Sequence, residues 1–450
     1  MRATLLATAL LAATLAPETR ARTQAPSTSG LTALQLEDLN LFENGFLEVD
    51  RSYALVARAE AKKRITDLRA QNRPVTDVRF ILTLSQIAAL ADNGHSGVFF
   101  RGRSPDLGRV GVRLHSFAGE FIVVQAEAER AELLGGRLVA IDSTPIAKLR
   151  EAGRTLNGGV MARRDLLAST FLESPGQLHA LGLAQAADRA RYSFEWSDGR
   201  KREAILEVAS PPGSARDSTL ALLSPERAPS GWRSLLPPVK TPWALADIRE
   251  TMRRLDRPDL DAMVIQLRAN VDGDRSISEF LDESERARRD AGRRHTILDM
   301  RMNGGGDLTR TNKWMAALPG RLPAEGRVVV ITSASTFSAA ISSTGYVKQA
   351  GGARVILVGE PPGDRLNFFA EGRPLTLPNS GAVVQMATER HDYRTGCRGY
   401  TDCHRYVVRY PIAVPSLEPQ VPAPWTLDAY IAGRDPGLEA AAKALAASRP

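Results

Sequence analysis

A serine and a run of glycines are the residues in this chain best placed to do chemistry. Ser338 stands six residues after the β-branched run Val328–Thr332 and opens the helical pattern FSAAISSTGYVKQAGG. A helix N-terminus offers unpaired N–H groups and the positive end of the dipole, and both favour an oxyanion forming beside a nucleophile. The plainer reading is that Ser333, Ser335, Thr336 or Ser338 caps the helix. Gly304, Gly305 and Gly306 follow Asp299-Met300-Arg301-Met302-Asn303. Glycine lets a backbone N–H approach a reacting carbonyl with no Cβ in the way, although a tight strand-to-helix turn uses glycine equally well. The run has no GK[ST] and is not GxGxxG, so a phosphate or dinucleotide loop is a poor reading. A donor loop plus a nucleophile is the minimum for acyl transfer.

A serine nucleophile needs a base. His95 lies in a Gly-His-Ser turn directly after a helical pattern, and histidine as a residue type titrates near neutrality without special burial. An exposed loop histidine would look the same. The other histidines, 115, 179, 295, 391 and 404, sit in less suggestive contexts. After Ser338 the only lysines are Lys348 and Lys443. Lys348 is ten residues along the same predicted helix, roughly 15 Å away on the axis, so it cannot serve Ser338. The two cysteines, Cys397 and Cys403, have the spacing of a small disulfide loop in an oxidising compartment. A metal site there would need two further ligands, with His391 and His404 close in sequence; no metal is expected.

These residues need a scaffold. At 450 residues the chain is too long for one ordinary core. Its 43% hydrophobic and 24% charged content is that of a globular protein. Arg2, an apolar run of about a dozen residues and a small-residue site near Thr19-Arg20-Ala21 read as a signal peptide over 1–21, hence a periplasmic or secreted protein. No other stretch is apolar enough for a membrane span. Net charge is +8, but acids and bases alternate, and no basic run interleaved with aromatics points to nucleic acid.

Helical periodicity covers much of 30–105, with predicted helices near 32–48, 52–70 and 74–92, the last carrying Val78, Ile81, Leu82, Ile87 and Leu90 on one face. Between 106 and 210 the pattern turns to strands. FIVVQA and RLVAID are β-rich, YSFEW and REAILEV flank the hairpin signal Asp198-Gly199, and a helical insert lies near 161–189. Residues 211–243 are rich in proline and read as a linker or surface excursion. From 244 to 436 strands alternate with helices: AMVIQL, TILDM, RVVVIT, RVILVGE and GAVVQMA. That alternation predicts a mostly parallel, helix-covered α/β sheet.

The order DMRMNGGGD, STFSAA, GARVILVGEPPGD and LPNSG, over about 290–382, resembles the catalytic domain of the C-terminal processing peptidase and tricorn family of serine peptidases. ELLGGRLVAIDSTPI at 132–146 is similar to a strand of that family's PDZ-like modules, and GHS at 94–96 to the histidine turn of its tricorn-like branch. The resemblance implies a crotonase-like (ClpP-type) catalytic domain, an N-terminal helical region and a partly PDZ-like β region. It implies Ser338 as nucleophile and His95 as general base. Gly305 and Ala339 would supply the oxyanion N–H groups, Gly304 and Gly306 would border the substrate, and no metal or organic cofactor would be needed. The substrate would be a peptide or protein. Arg365 stands where one branch has its lysine, and Gly94 where the tricorn-like branch has a serine before its histidine. Glu389 and Glu418 are candidates for the supporting acid. Alternatives are a catalytically inactive peptide-binding protein of the same fold, or a non-peptidic ester hydrolase.

Overall fold

A computed structural model describes residues 30–99, 107–210 and 220–447. The expected signal peptide lies outside the described residues.

The three predicted N-terminal helices are present as α1 (Ala33–Phe42), α2 (Leu55–Arg69) and α3 (Asp77–Ala89), a π-helical turn continuing α1 to Leu47. A capping box at Thr32 and Gln35 starts α1. Strand β1 (Gly97–Phe99) follows the His95 turn.

Next come β2 (Arg109–Val110), β3 (Val112–Phe117), β4 (Glu120–Glu127), β5 (Arg137–Ile141) and β6 (Thr144–Pro145), then α4 (Ile146–Arg154), α5 (Met161–Leu172) and α6 (Pro175–Ala180). The expected hairpin around Asp198-Gly199 is β7 (Arg189–Glu195) with β8 (Lys201–Ser210), paired antiparallel. These strands form one antiparallel sheet, and its core includes Val112, Leu114, Phe121, Val123, Tyr192 and Phe194.

The segment expected to be a linker behaves otherwise in its described part. It contributes β9 (Trp232–Ser234), which pairs with β4. Leu220, Leu223 and Leu236 are buried with Met302, Trp425 and Tyr430. Its prolines initiate short 3-10 turns, so the local irregularity was legible, but its leucines close the seam between the two large sheets.

The remaining elements are β10 (Met252–Arg257), β11 (Ala262–Leu267), α7 (Ile277–Asp290), β12 (His295–Asp299), α8 (Asn312–Arg321), β13 (Val328–Thr332), α9 (Ala339–Gly351), β14 (Val355–Gly359), β15 (Asn367–Ala370), β16 (Leu375–Thr376), β17 (Val383–Gln385), β18 (Glu389–Asp392), α10 (Arg405–Arg409), β19 (Val421–Pro422), α11 (Leu427–Ile431) and α12 (Pro436–Ala446). The second large sheet runs β10-β11-β12-β13-β14-β19, parallel throughout except for its antiparallel edge β10. Its strands are continuous apolar runs because helices cover both faces. Alternate residues divide between those faces. Ile265, Leu298, Val328 and Val330 pack with Phe280, Trp314, Ile341 and Val347 of α7, α8 and α9. Val264, Ile297, Val329 and Ile331 pack under Leu438, Ala441 and Leu445 of α12.

GAVVQMA does not join this sheet. Its strand β17 pairs antiparallel with β1, Gly97 opposite Gln385 and Phe99 opposite Val383. Leu377, Ala382, Val384 and Met386 are buried among the side chains of the N-terminal helices. The two ends of the chain therefore share a core. Among the described residues no helix is long and apolar enough to cross a membrane.

Candidate active site

Ser338 lies where strand β13 has ended and α9 begins, as the helix N-cap. Its φ of 55° and ψ of −125° are unusual for a residue with a Cβ. The side chain makes no capping bond, so the plain capping role is not what fixes this residue. The turn before it does that work: the Ser333 hydroxyl donates to Arg301 O at 2.7 Å, and the Thr336 hydroxyl to Met300 O at 2.8 Å. Ser338 is half-buried, while Ala339 and the helix behind it are buried.

The same contacts bring the glycine turn against the serine. The Phe337 N–H donates to Asn303 O at 3.0 Å. Gly305 has φ +103°, and a Cβ there would stand 2.6 Å from Ser338 Cβ and 3.1 Å from Ala339 N. This close approach is what requires glycine. Gly304 and Gly306 flank it and are exposed. The Gly305 N–H itself donates to Asn303 Oδ1 at 2.9 Å, so this expected donor is engaged within its own turn. Asn303 is held in turn, its amide donating to Asn270 Oδ1 at 2.8 Å.

The strand ends feeding both turns are locked by charge. Arg301 is forked to Asp299 at 2.8 Å and to Asp435 of the α12 N-cap at 2.6 Å, all three side chains being buried. Burial alone pushes the Asp299 carboxyl up, but Arg301 outweighs it and holds the group below its ordinary value.

His95 reaches this site from far away in sequence. Its ring stacks on Phe337, the residue before Ser338, with centroids 4.2 Å apart, and on Phe368 at 4.9 Å. The turn is fastened by paired bonds: Asn93 Nδ2 donates to Phe369 O at 3.0 Å, and the Phe369 N–H to Asn93 Oδ1 at 3.1 Å. Arg365, standing where a lysine base would be sought, donates to Asp92 O at 2.8 Å and to its carboxylate at 2.7 Å. It braces the histidine turn. Gly94 has a steric reason: a Cβ there would lie 2.9 Å from the Phe337 ring and 3.0 Å from Asp364 Oδ2. A serine in its place would press on the Phe337 ring and the Asp364 carboxyl.

The acid beside His95 is Asp364. Its Oδ2 is 3.5 Å from His95 Nδ1, and its side chain is 1% exposed. Neither that oxygen nor either His95 ring nitrogen makes a hydrogen bond among the described residues. His95 is thus packed against the residue before Ser338, and its ring nitrogens make no hydrogen bond to Ser338. Of the other acids considered, Glu389 bonds His404 Nδ1 at 2.6 Å and Glu418 is exposed. Lys348 is committed elsewhere, donating to Val355 O at 2.7 Å.

On the other face of Phe337 lies Arg163 of α5, its guanidinium carbon 3.5 Å from the ring centroid. Burial lowers this guanidinium to about 10, against the pull of Asp364. A cleft of about 340 Å³ opens beside the Ser333–Ser335 turn, between it and residues of the antiparallel region that include Arg150, Asp165 and Leu166. Glu360, at the end of β14, lines it. Burial pushes its carboxyl up to about 7, with Arg301 opposing.

This architecture has a solved counterpart. The chain shares its fold with mature CPAF. The structure of mature CPAF complexed with lactacystin superposes with a TM-score of 0.58 over 92% of this chain and 98% of that one, at 13% identity. Mature CPAF alone gives 0.55 over 92% and 96%, also at 13% identity. A CPAF S499A mutant gives 0.56 over 89% and 95%, at 12% identity. No protein-family model matches the sequence, and no curated protein matches it significantly.

Sequence reasoning missed Asp364, Phe337, Phe368 and Arg163. Asp364 sits inside the quoted GEPPGD, but nothing in its spacing ties it to a histidine 269 positions earlier (364 − 95). The aromatic rings that sandwich His95 carry no sequence signal distinct from core phenylalanines.

The cysteines form the expected bond, Cys397 to Cys403.

Proposed function

We propose that this chain is an exported serine peptidase. The observation that carries the reading is Ser338, held at positive φ on a helix N-terminus with Gly305 in contact behind it and His95 stacked on the adjacent Phe337. Strained backbone at a helix mouth is where nucleophiles are presented. CPAF, the fold's solved counterpart, has a structure complexed with lactacystin.

In the proposed reaction His95 Nε2 takes the proton of Ser338 Oγ as Oγ bonds to the peptide carbonyl carbon. The carbonyl oxygen becomes an oxyanion facing the Ala339 N–H, which has no acceptor among the described residues, and the Gly305 N–H as it leaves Asn303. Gly304 and Gly306 border the substrate. The C–N bond breaks as the imidazolium gives its proton to the departing amine. Water, deprotonated by the same histidine, then attacks the acyl-serine and releases the new carboxyl end. Asp364 is a positioning residue, orienting His95 through Nδ1. Hydrogen bonds of this kind are often long before substrate arrives and tighten in the complex. Each step uses only groups of this chain and needs no metal or organic cofactor. A crotonase-like core at 244–436 and a PDZ-like region at 106–210 belong to the same reading. The helices that follow β11, β12 and β13 support the first, and the antiparallel sheet with α4–α6 supports the second.

A second reading is an inactive peptide-binding protein of this fold; the engaged Gly305 N–H and the unbonded His95 favour it. A fluorophosphonate probe separates the two. Labelling that disappears in Ser338→Ala, with a peptide library cleaved by the native chain alone, supports the peptidase. A native chain that neither labels nor cleaves would be the binder. Labelling with cleavage of simple esters but no peptides would make it an ester hydrolase.

A further inference from the structure

A second cluster of reactive side chains lies at the far end of the ring stack that holds His95. We infer that Glu371, His391 and His404 form a divalent cation site of the zinc type, with a fourth position open to water. One ligand atom from each residue lies within 4.8 Å of the other two. Tetrahedral zinc ligands at 2.0–2.1 Å stand about 3.4 Å apart, so closing the site needs a shift of roughly an ångström in its widest pair. Glu371, the exposed member, has the freedom to supply it.

The ring orientations are set by hydrogen bonds at Nδ1. A ligating imidazole commonly gives its other N–H to a neighbouring acceptor, which fixes the ring and frees one lone pair for the metal. His404 Nδ1 faces a carboxylate, which only accepts, and His391 Nδ1 faces a hydroxyl that is able to accept. His404 Nδ1 is 2.6 Å from Glu389 Oε2. His391 Nδ1 is 2.8 Å from the Tyr393 hydroxyl, itself 2.6 Å from the Ser342 hydroxyl on α9. What remains is Nε2 of each ring.

A second observation points to a ligand. His391 is 3% exposed, and its Nε2 makes no hydrogen bond among the described residues. It faces Glu371 Oε1 at 3.3 Å without the geometry of a bond to it. With the proton on Nδ1, the Nε2 lone pair and the Glu371 carboxylate are two acceptors facing each other with no proton between them, and a cation there would satisfy both. Two imidazoles and one carboxylate with an open place are a zinc donor set; magnesium and calcium favour all-oxygen sites.

The backbone builds this cluster deliberately. β15 and β18 pair antiparallel, with Ala370 opposite Glu389, so Glu371 leaves one strand beside the other's start. His404 is brought in by the disulfide loop: Cys403 bridges Arg390, and the His404 N–H donates to Arg390 O at 3.0 Å. From His404 the rings run to His391 at 5.3 Å, Phe368 at 5.1 Å and His95 at 4.9 Å, centroid to centroid.

The test is equilibrium dialysis of the untagged, chelator-stripped full chain against Zn²⁺ alone, with Co²⁺ as a spectroscopic substitute. One Zn²⁺ per chain is expected, with the intense visible bands of tetrahedral Co²⁺. Glu371→Gln and His404→Ala should each weaken binding about tenfold or more, comparable to the losses seen when a ligand's support is removed. Ser338→Ala should bind as the native chain does. His391→Ala removes a buried ring and risks the fold, so the surface variant Glu371→Gln decides the matter. Zinc in excess should also raise the melting temperature of the native chain and not that of Glu371→Gln. Substoichiometric binding, or binding that both variants retain, would overturn the site and leave His391 and Glu371 as a plain polar pair.

Discussion

The imidazole of His95 lies face to face with the ring of Phe337, 4.2 Å between centroids and 23° between planes, one residue before Ser338. A base candidate and a nucleophile candidate are thus joined by packing before any hydrogen bond is drawn between them. The relationship rests on contacts between opposite ends of the chain, and each can be tested separately.

The stacking predicts that His95→Ala lowers peptide turnover by about 10²–10⁴-fold, the usual worth of a general base. Asp364→Asn should lower kcat and leave KM near its native value, and Asp364→Glu should recover part of the loss. A purely structural aspartate would give no such partial rescue. Steady-state kinetics on one peptide decides it. Native kcat in His95→Ala would falsify the base assignment.

Gly305→Ala should abolish fluorophosphonate labelling, because its Cβ would stand 2.6 Å from Ser338 Cβ. A displacement of about 1 Å at a nucleophile costs on the order of 10²-fold in rate. Gly304→Ala meets nothing within 4 Å and should keep both fold and labelling. Equal labelling of the two variants would contradict the close approach.

Arg301→Met leaves Asp299 and Asp435 buried without their shared partner. Breaking a buried ion pair from one side costs about 3–5 kcal/mol. Urea unfolding followed by circular dichroism should show a lower midpoint. An unchanged midpoint would mean that the fork contributes nothing.

Glu360 gives a pH dependence with a definite sign. Its folded value, about 7, lies above the ordinary 4.5, so the folded state holds its proton longer than the unfolded chain does. At pH 4 both states are largely protonated and the group costs little. Between there and pH 7 the unfolded chain ionises first and stability falls, and above pH 7 the full penalty remains. Glu360→Gln should therefore raise the melting temperature at pH 8 and leave it almost unchanged at pH 4. Equal shifts at both pH values would point to packing instead of charge.

The parallel sheet was readable because AMVIQL, TILDM and RVVVIT are apolar runs of strand length, each followed by helical spacing, and RVILVGE is a further such run. The same rule misplaced GAVVQMA. A short apolar run carries no record of its partner, and β17 found β1 rather than β14 because the N-terminal helices needed Leu377, Val384 and Met386 to finish their core. The candidate serine turn and the glycine turn were visible as local patterns. The candidate acid was not: Asp364 meets His95 through the β1–β17 pairing, the Asn93–Phe369 clasp and the Arg365–Asp92 brace, contacts between parts of the chain that no local periodicity links. Proline marked 211–243 as irregular, but its leucines were buried for reasons of tertiary fit.

The pairing of β1 with β17 has a temporal side. The His95 turn is made early and Arg365, Phe369 and Gln385 late, so the bonds from these three that hold the turn wait for them. A chain stopped before them has Ser338 but has not yet seated His95 beside Phe337. If the proposed reading holds, a partly made chain would lack an assembled base beside its serine, and competence to cut would wait for these later residues.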